Sequence, residues 1–234
     1  MIPQQAVTDL WVIPSRTAPP LPSELHSAGS SDFQGNFVPH IPYYLMLRHT
    51  QPDDIVLDMF EGSGTTKVVA HFMNRKYVGV DLHNGIDSAQ PGLHLPLCAQ
   101  SAALTILHPP YLNIVPFSLN PKDLSLMQLP QFTQAMQHVF ANALAYTKPQ
   151  GHIALVIGDI YQNKRVVPLS HLMHNLACTL PNLVLRAIII KNIANNEKGK
   201  GLMAGLWRYR ALKNGFYIFQ HEYIYVYQVG TTWC

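Results

Sequence analysis

The sequence predicts an α/β fold: a Rossmann-like, mostly parallel sheet with helices on both faces and an antiparallel edge hairpin. From residue 36 onward, segments with helical spacing of apolar residues alternate with short apolar runs typical of strands. A turn containing two glycines joins the first strand to the next helix, where open α/β sheets bind ligands. The last two strand-like segments have no predicted helix between them, which favours the hairpin.

The predicted elements follow in a regular order along the chain. Helices are predicted at 41–50, 67–75, 131–147 and 168–180, and strands at 54–60, 76–82, 103–111, 152–160, 183–191 and 222–228. Residues 83–102 contain no clear strand. The Pro-, Ser- and Gly-rich composition of residues 1–35 predicts an N-terminal arm that packs on the domain through Trp11 and Phe33. A frayed tail is the alternative. Residues 36–234 then form a single domain of ordinary size.

The composition excludes several classes of protein. Hydrophobic residues make up 48% of the chain and charged residues 12%, which argues against disorder. A net charge of +3 permits a nucleic-acid partner without requiring one. The scattered cysteines Cys98, Cys178 and Cys234 indicate neither a zinc site nor a disulfide framework, so we expect no metal and a reduced, cytoplasmic setting. We also expect neither a membrane span nor a signal peptide.

The glycine turn DMFEGSGTT (58–66) predicts a ligand site. Glycine permits positive φ and close approach of a ligand, and the N–H groups that open the next helix can bind an anionic group. Lys67 breaks both the P-loop and the G-x-G-x-x-G patterns. Asp81, at the end of the second strand, is placed to accept hydrogen bonds from a ribose diol. Together these features predict a site for an adenosine-containing cofactor; the alternatives are a bare turn and a helix-capping aspartate.

The double proline in LHPPY (107–111) ends an apolar strand, because Pro-Pro cannot donate ladder hydrogen bonds. The carbonyls of His108 and Pro109 are therefore free at the rim where the cofactor is expected. Tyr111 follows as an aromatic surface on which a base could stack. The alternative is a simple strand terminator with a packed tyrosine.

Together, DMFEGSGTT and HPPY resemble the amino-methyltransferase family that modifies adenine N6 or cytosine N4 in DNA. That family pairs a D-P-F-x-G-S-G-T-T cofactor loop with a D/S-P-P-Y catalytic loop. The occurrence of both motifs in this order is specific, whereas each motif alone is not. The resemblance extends through GNFVPHIPYYLMLRHT (35–50), GHIALVIGDI (151–160) and HEYIYVYQ (221–228). It covers roughly residues 32–228.

The resemblance implies a cofactor, a partner and residue roles. The cofactor would be S-adenosyl-L-methionine and the partner DNA. The residues implied in cofactor binding are Phe33, Asn36, Phe37, Asp58, Phe60, Gly62, Ser63, Gly64, Thr65 and Asp81. The catalytic residues, which would hold the amine and stack a flipped base, are His108, Pro109, Pro110 and Tyr111.

Three residues depart from the family pattern. Met59 replaces a proline, Glu61 replaces a small residue, and His108 stands where the family has Asp or Ser, as an HPPY variant. The missing strand at 83–102 leaves the adenine contact and the identity of the target base open.

A basic segment at 191–215 is the candidate nucleic-acid contact, because it interleaves cations with aromatic residues. The candidate residues are Lys198, Lys200, Trp207, Arg208, Arg210 and Lys213. The alternative is an exposed, solvated connection at the edge of the sheet. Two other functions remain open: an RNA or protein amide methyltransferase, and a catalytically degenerate methyltransferase fold that acts as a binding module. A homodimer or a partner subunit would fit the small size of the chain.

Overall fold

Helices and strands alternate along the chain largely as the sequence predicts. The computed structural model describes residues 2–30, 33, 35, 37–193 and 204–230. In chain order the elements are β1 (Leu10–Trp11), α1 (His40–His49), β2 (Ile55–Asp58), α2 (Thr65–Phe72), β3 (Lys76–Gly79), β4 (Ala102–Leu107), α3 (Leu129–Tyr146), β5 (Thr147–Ile157), β6 (Ile160–Gln162), β7 (Arg165–Val167), α4 (Leu169–Ala177), β8 (Leu183–Asn192), α5 (Ala204–Asn214) and β9 (His221–Val229).

Within the described residues, seven strands form one sheet in the order β1-β8-β9-β5-β4-β2-β3. Strands β2, β3, β4 and β5 are mutually parallel, and β1 is parallel to β8. Strand β9 runs antiparallel between β5 and β8. Strands β6 and β7 form a separate antiparallel hairpin after β5. The mostly parallel, Rossmann-like sheet is therefore confirmed, together with the antiparallel pair at its C-terminal end.

Alternate residues of the strands build two hydrophobic layers, because successive side chains of a strand point to opposite faces. Leu57 and Leu107 pack with α3 and α4 in one layer. Val56 and Ile106 pack with α1 and α2 in the other. The expected helices thus cover both faces of the sheet.

The antiparallel pair β8–β9 carries two features that the sequence pattern did not reveal. The connection, expected to lack a helix, contains α5. Among the described side chains of α5, Arg208–Asn214, the buried one is Ala211, so the segment lacks the apolar stripe by which a helix is recognised. In addition, the two-residue strand β1 lies outside β8.

The segment between β3 and β4 contains no strand, as the sequence predicts, and all of its residues are described. Two side chains of α3 hold it instead. The Asn142 amide donates to the carbonyls of Ser88 and Gln90, at 2.9 and 2.8 Å. The Tyr146 hydroxyl donates to the Leu93 carbonyl at 2.8 Å. Side-chain hydrogen bonds thus replace the ladder of a further strand.

Trp11 of the N-terminal arm is buried, with 1% of its surface exposed. Its ring packs edge-on against Tyr44 of α1, with the centroids 5.2 Å apart, and its indole N–H donates to the Thr8 carbonyl. The backbone pairs with β8, Leu10 opposite Ile190 and Trp11 opposite Lys191. The packing predicted for Trp11 is present.

The helices of the described ranges are too short or too polar to cross a lipid bilayer.

We expect Trp11→Ala to lower the free energy of unfolding by about 3–5 kcal/mol, because truncation leaves a large cavity against α1. The measurement is equilibrium unfolding in urea. Leu10→Ala is the matched control, since Leu10 is 55% exposed and truncation there should change stability by about 0.5 kcal/mol or less. Equal effects of the two substitutions would show that the arm is not part of the cooperative unit.

Candidate active site

A cavity of about 1270 Å³ opens at the carboxyl ends of the parallel strands. It lies between the glycine turn and the double proline, and the arm contributes Arg16. The residues predicted from the sequence that line it are Phe33, Phe37, Phe60, Gly62, Ser63, Thr65, Asp81, His108, Pro109, Pro110 and Tyr111. Asp58 and Gly64 lie behind this lining, and Asn36 lies outside the described residues. The two motifs thus share one cavity.

The turn between β2 and α2 needs glycine at two positions. Gly62 has φ +52° and Gly64, which caps α2, has φ +79°. A Cβ on Gly62 would also lie 3.1 Å from the ring of Phe33. Phe33 therefore lies directly over the turn, and its role in closing the site stays a prediction.

Asp58 supports the turn from below. Its side chain is fully buried, and Oδ1 accepts the Phe60 N–H at 2.9 Å. Burial raises the pKa of this carboxyl to about 6, against the opposing effects of the Thr66 side chain and of the hydrogen bond from the Phe60 N–H. Its predicted direct contact with the cofactor stays a prediction.

Asp81 has the capping role that the sequence left open as an alternative, and its contact with a ribose stays a prediction. Oδ2 accepts the Gly62 N–H at 2.8 Å, and Oδ1 accepts the His83 N–H at 2.8 Å, which caps the 3₁₀ helix Leu82–Asn84. The carboxylate also lines the cavity. Oδ1 also lies 2.9 Å from His83 Nδ1. Because each carboxylate oxygen has two lone pairs, the acceptor capacity left for a ligand hydroxyl is on Oδ2.

Met59 and Glu61, the departures in the glycine turn, are both accommodated. The Met59 N–H donates to the Ile106 carbonyl at 3.0 Å, a hydrogen bond that proline could not make. The Glu61 side chain accepts from Asn84 at 3.2 Å and lies over Gly79, where a Cβ would approach Oε2 to 2.5 Å. The larger side chain therefore has room because residue 79 is glycine.

The double proline ends β4 as predicted, with Leu107 as its last residue. The His108 ring packs edge-on against Phe37, with centroids 4.7 Å apart. Burial lowers the pKa of His108 to about 4, and the Lys191 charge acts in the same direction against the opposing effect of Glu222. The imidazole is consequently neutral near pH 7 and can accept a hydrogen bond.

Tyr111 is held by a buried ionic network that sequence reasoning missed. Its hydroxyl donates to Glu222 Oε2 at 2.7 Å, and Lys191 Nζ donates to Glu222 Oε1 at 2.9 Å. The side chains of Lys191 and Glu222 are only 8% and 9% exposed, and both line the cavity. Strand register places them opposite each other in β8 and β9. The one signal in the sequence was a carboxylate at the start of an apolar strand.

The Gly158-Asp159 turn after β5 also contributes to the site. A Cβ on Gly158 would lie 2.9 Å from the Tyr111 ring, so glycine is required for the tyrosine to reach its position. Asp159 accepts the Ser170 N–H at 2.9 Å at the start of α4. Asp159 therefore caps the start of α4.

Of the predicted nucleic-acid residues, Arg208, Arg210 and Lys213 lie outside the cavity lining. Arg208, Arg210 and Lys213 are exposed on α5, and Lys213 Nζ lies 5.9 Å from the centroid of the Tyr209 ring. Lys198, Lys200 and the side chain of Trp207 lie outside the described residues. In the part of the chain that the structure describes, no cluster of three or more His, Cys, Asp or Glu side chains is arranged to hold a metal ion.

Comparisons with known proteins identify relatives of this chain. Residues 3–89 match the DNA methylase family of N6 and N4 methyltransferases. A stretch of 57 residues is 37% identical to the type II methyltransferase M.MjaII of Methanocaldococcus jannaschii, covering 24% of this chain and 11% of that protein. The chain thus spans a small part of this relative.

Two solved structures are similar to this chain. TrmN from Thermus thermophilus matches with a TM-score of 0.50 and 15% identity, over 84% of this chain and 50% of that chain. A methyltransferase from Pyrococcus furiosus matches with a TM-score of 0.45 and 11% identity, over 83% and 84%. The resemblance to DNA amino-methyltransferases is confirmed by the family match, and the Rossmann-like fold by TrmN. The double proline lies beyond residue 89, so the HPPY variant stays a prediction.

We expect Glu222→Gln to lower the free energy of unfolding by about 3–5 kcal/mol, because it leaves the Lys191 ammonium buried without a counter-charge. Glutamine still offers an oxygen to the Tyr111 hydroxyl, so lost hydrogen bonding is not the cause. The double variant Lys191→Met/Glu222→Gln removes both charges and should recover most of the loss in urea unfolding. A double variant no more stable than Glu222→Gln would contradict this account of the pair.

Proposed function

We propose that this protein is an S-adenosyl-L-methionine-dependent methyltransferase that acts on the exocyclic amine of adenine (N6) or cytosine (N4) in DNA. The observation that carries the proposal is that the glycine turn and the double-proline loop line one cavity. A volume of about 1270 Å³ is ample for a cofactor together with one base, since drug-sized ligands occupy ~300–1,000 Å³. The match to the DNA methylase family supports the choice of amine chemistry.

The turn side of the cavity fits the cofactor. The left-handed backbone of Gly62 and Gly64 leaves the start of α2 open to a carboxylate, and Asp81 Oδ2 retains a lone pair for a ribose diol. The residues that would hold the cofactor are Phe33, Phe37, Asp58, Phe60, Gly62, Ser63, Gly64, Thr65 and Asp81, with Asn36. When bound, S-adenosyl-L-methionine supplies an electrophilic methyl group.

The proline side fits the amine. An exocyclic amine is a weak nucleophile because its lone pair is delocalised into the ring. Neutral His108 and a carbonyl of the His108–Pro109 segment can accept hydrogen bonds from the two N–H groups of the amine. These hydrogen bonds stabilise the positive charge that develops on the nitrogen during methyl transfer. Tyr111, whose hydroxyl is bonded to Glu222, offers a ring face on which a flipped base stacks. Pro110 stiffens the loop between Pro109 and Tyr111.

The accommodation of Met59, Glu61 and His108 favours an active enzyme over a degenerate binding module. Met59 adds a backbone hydrogen bond, and Glu61 fits over Gly79. The lowered pKa of His108 keeps its imidazole neutral near pH 7, so that it can accept a hydrogen bond. These residues therefore do not obstruct the site, and each is compatible with the proposed roles.

The wider setting is also a proposal. DNA would contact α5 through the exposed residues Arg208, Arg210 and Lys213, together with Lys198, Lys200 and Trp207. Residues 1–35 would act as an arm on a methyltransferase domain of residues 36–234. We propose a cytoplasmic enzyme, with a homodimer or a partner subunit supplying any sequence specificity.

The deciding measurement is transfer of tritium from methyl-labelled S-adenosyl-L-methionine. We expect label in duplex DNA, in adenine or cytosine after hydrolysis to bases, and none in RNA or protein. Tyr111→Ala should lose most of this transfer while retaining cofactor affinity by calorimetry, because base stacking is worth ~1–3 kcal/mol. Label in RNA or in protein amides instead would replace the DNA assignment. Cofactor binding without transfer to any substrate would favour the binding module.

The lowered pKa of His108 predicts the pH profile of transfer. A protonated imidazole cannot accept the amine N–H, so turnover should fall as the pH drops through about 4. His108→Asn, whose amide oxygen accepts at every pH, should lack this acid limb. Circular dichroism at each pH separates loss of turnover from unfolding. An acid limb that persists unchanged in His108→Asn would assign the titration to another group.

A further inference from the structure

Charge is distributed unevenly along this chain. Residues 160–221 contain nine of the sixteen lysines and arginines but one of the thirteen acidic residues. The rest of the chain is correspondingly acidic. A positive region of this kind attracts a polyanion. Besides α5, this positive region includes the hairpin β6–β7.

The hairpin β6–β7 carries two cations at its tip. Ile160 pairs with Val167 and Gln162 with Arg165, so the turn consists of Asn163 and Lys164. Both turn residues have positive φ, +50° and +60°, which is the geometry of a tight two-residue hairpin. Lys164 and Arg165 are exposed, and neither forms an ion pair within the described residues.

Two contacts fix the hairpin between the double-proline loop and α5. Gln162 Nε2 donates to Asn113 Oδ1 at 2.7 Å, and Asn113 lies two residues after Tyr111. On the other side, the Tyr161 ring stacks on Phe216 just beyond α5, with centroids 4.3 Å apart and planes inclined by 26°. The hairpin therefore connects the candidate base-stacking loop to the basic helix.

We propose that the β6–β7 hairpin is a DNA-backbone contact in which Lys164 and Arg165 bind phosphates beside the target nucleotide. This inference rests on the proposed function. Backbone contacts set the position of the duplex and carry no sequence information of their own. Since the hairpin is bonded to Asn113, phosphates held at its tip are held at a fixed position relative to Tyr111. The hairpin would thus align the flipped nucleotide with the cavity, while α5 binds the adjoining backbone.

The test measures the salt dependence of binding to a fluorescein-labelled duplex DNA of random sequence. Each lost phosphate contact lowers the slope of log affinity against log salt by ~0.9. We expect Lys164→Gln to bind the duplex more weakly and with a shallower slope than the wild type. For Lys164→Gln/Arg165→Gln, the decrease in slope relative to the wild type should be about twice as large. Thermal unfolding confirms that both variants are folded.

Lys76→Gln is the matched control. Lys76 is exposed at the start of β3, at the end of the sheet opposite the cavity. Its replacement removes the same charge and should leave the slope unchanged. Equal changes for Lys76→Gln and Lys164→Gln would reduce the effect to net charge and overturn the hairpin contact.

The remaining outcomes separate the two proposals. If the wild type binds and methylates duplex DNA and the double variant keeps the wild-type slope, the hairpin inference is overturned and the proposed function stands. If the wild type binds no duplex DNA, or prefers a structured RNA of equal length, both the DNA assignment and the hairpin contact fail.

Discussion

The ionic hydrogen bond network of Tyr111, Glu222 and Lys191 is the interaction on which the architecture of the site depends. It joins the loop after β4 to β8 and β9, which are distant in sequence. A buried ion pair adds little net stability, yet breaking it is costly, so it selects one arrangement over its neighbours. A one-residue slip of β8 against β9 would separate Lys191 from Glu222. It would also move the side chains of the slipped strand to the opposite face of the sheet. The register and the position of the tyrosine are therefore specified together.

The glycine turn follows a different principle, since backbone geometry and close packing define it. Gly62 provides both a positive φ and the space for Phe33, while its N–H is held by Asp81. Gly79, one strand away, makes room for Glu61. A departure from the family pattern in the turn is thus compensated outside the turn, so the motif alone does not determine the shape of the site.

The sequence predicted what local patterns determine. Periodicity and turn residues located α1–α4 and the major strands, and the two motifs located the cavity. Lys191 and Glu222 could not be paired in advance, because their contact depends on long-range register. Strand β1 was missed because two residues are too few to form a pattern. Helix α5 was missed because its described side chains form no buried apolar stripe, with Leu212 78% exposed. The hairpin at 160–167 was not predicted, because it lies at the end of the predicted strand 152–160 and in the connection to the next predicted helix.

The missing strand between β3 and β4 has a consequence for association. It leaves β3, with only the residues Lys76–Gly79, as the outer strand on that side of the sheet. A short outer strand that begins with lysine offers few unpaired backbone groups with which a strand of another chain could pair. Short, charged edge strands commonly protect proteins against aggregation in this way. Growth of the sheet by intermolecular pairing is therefore disfavoured at this edge, and association there would have to rely on side chains.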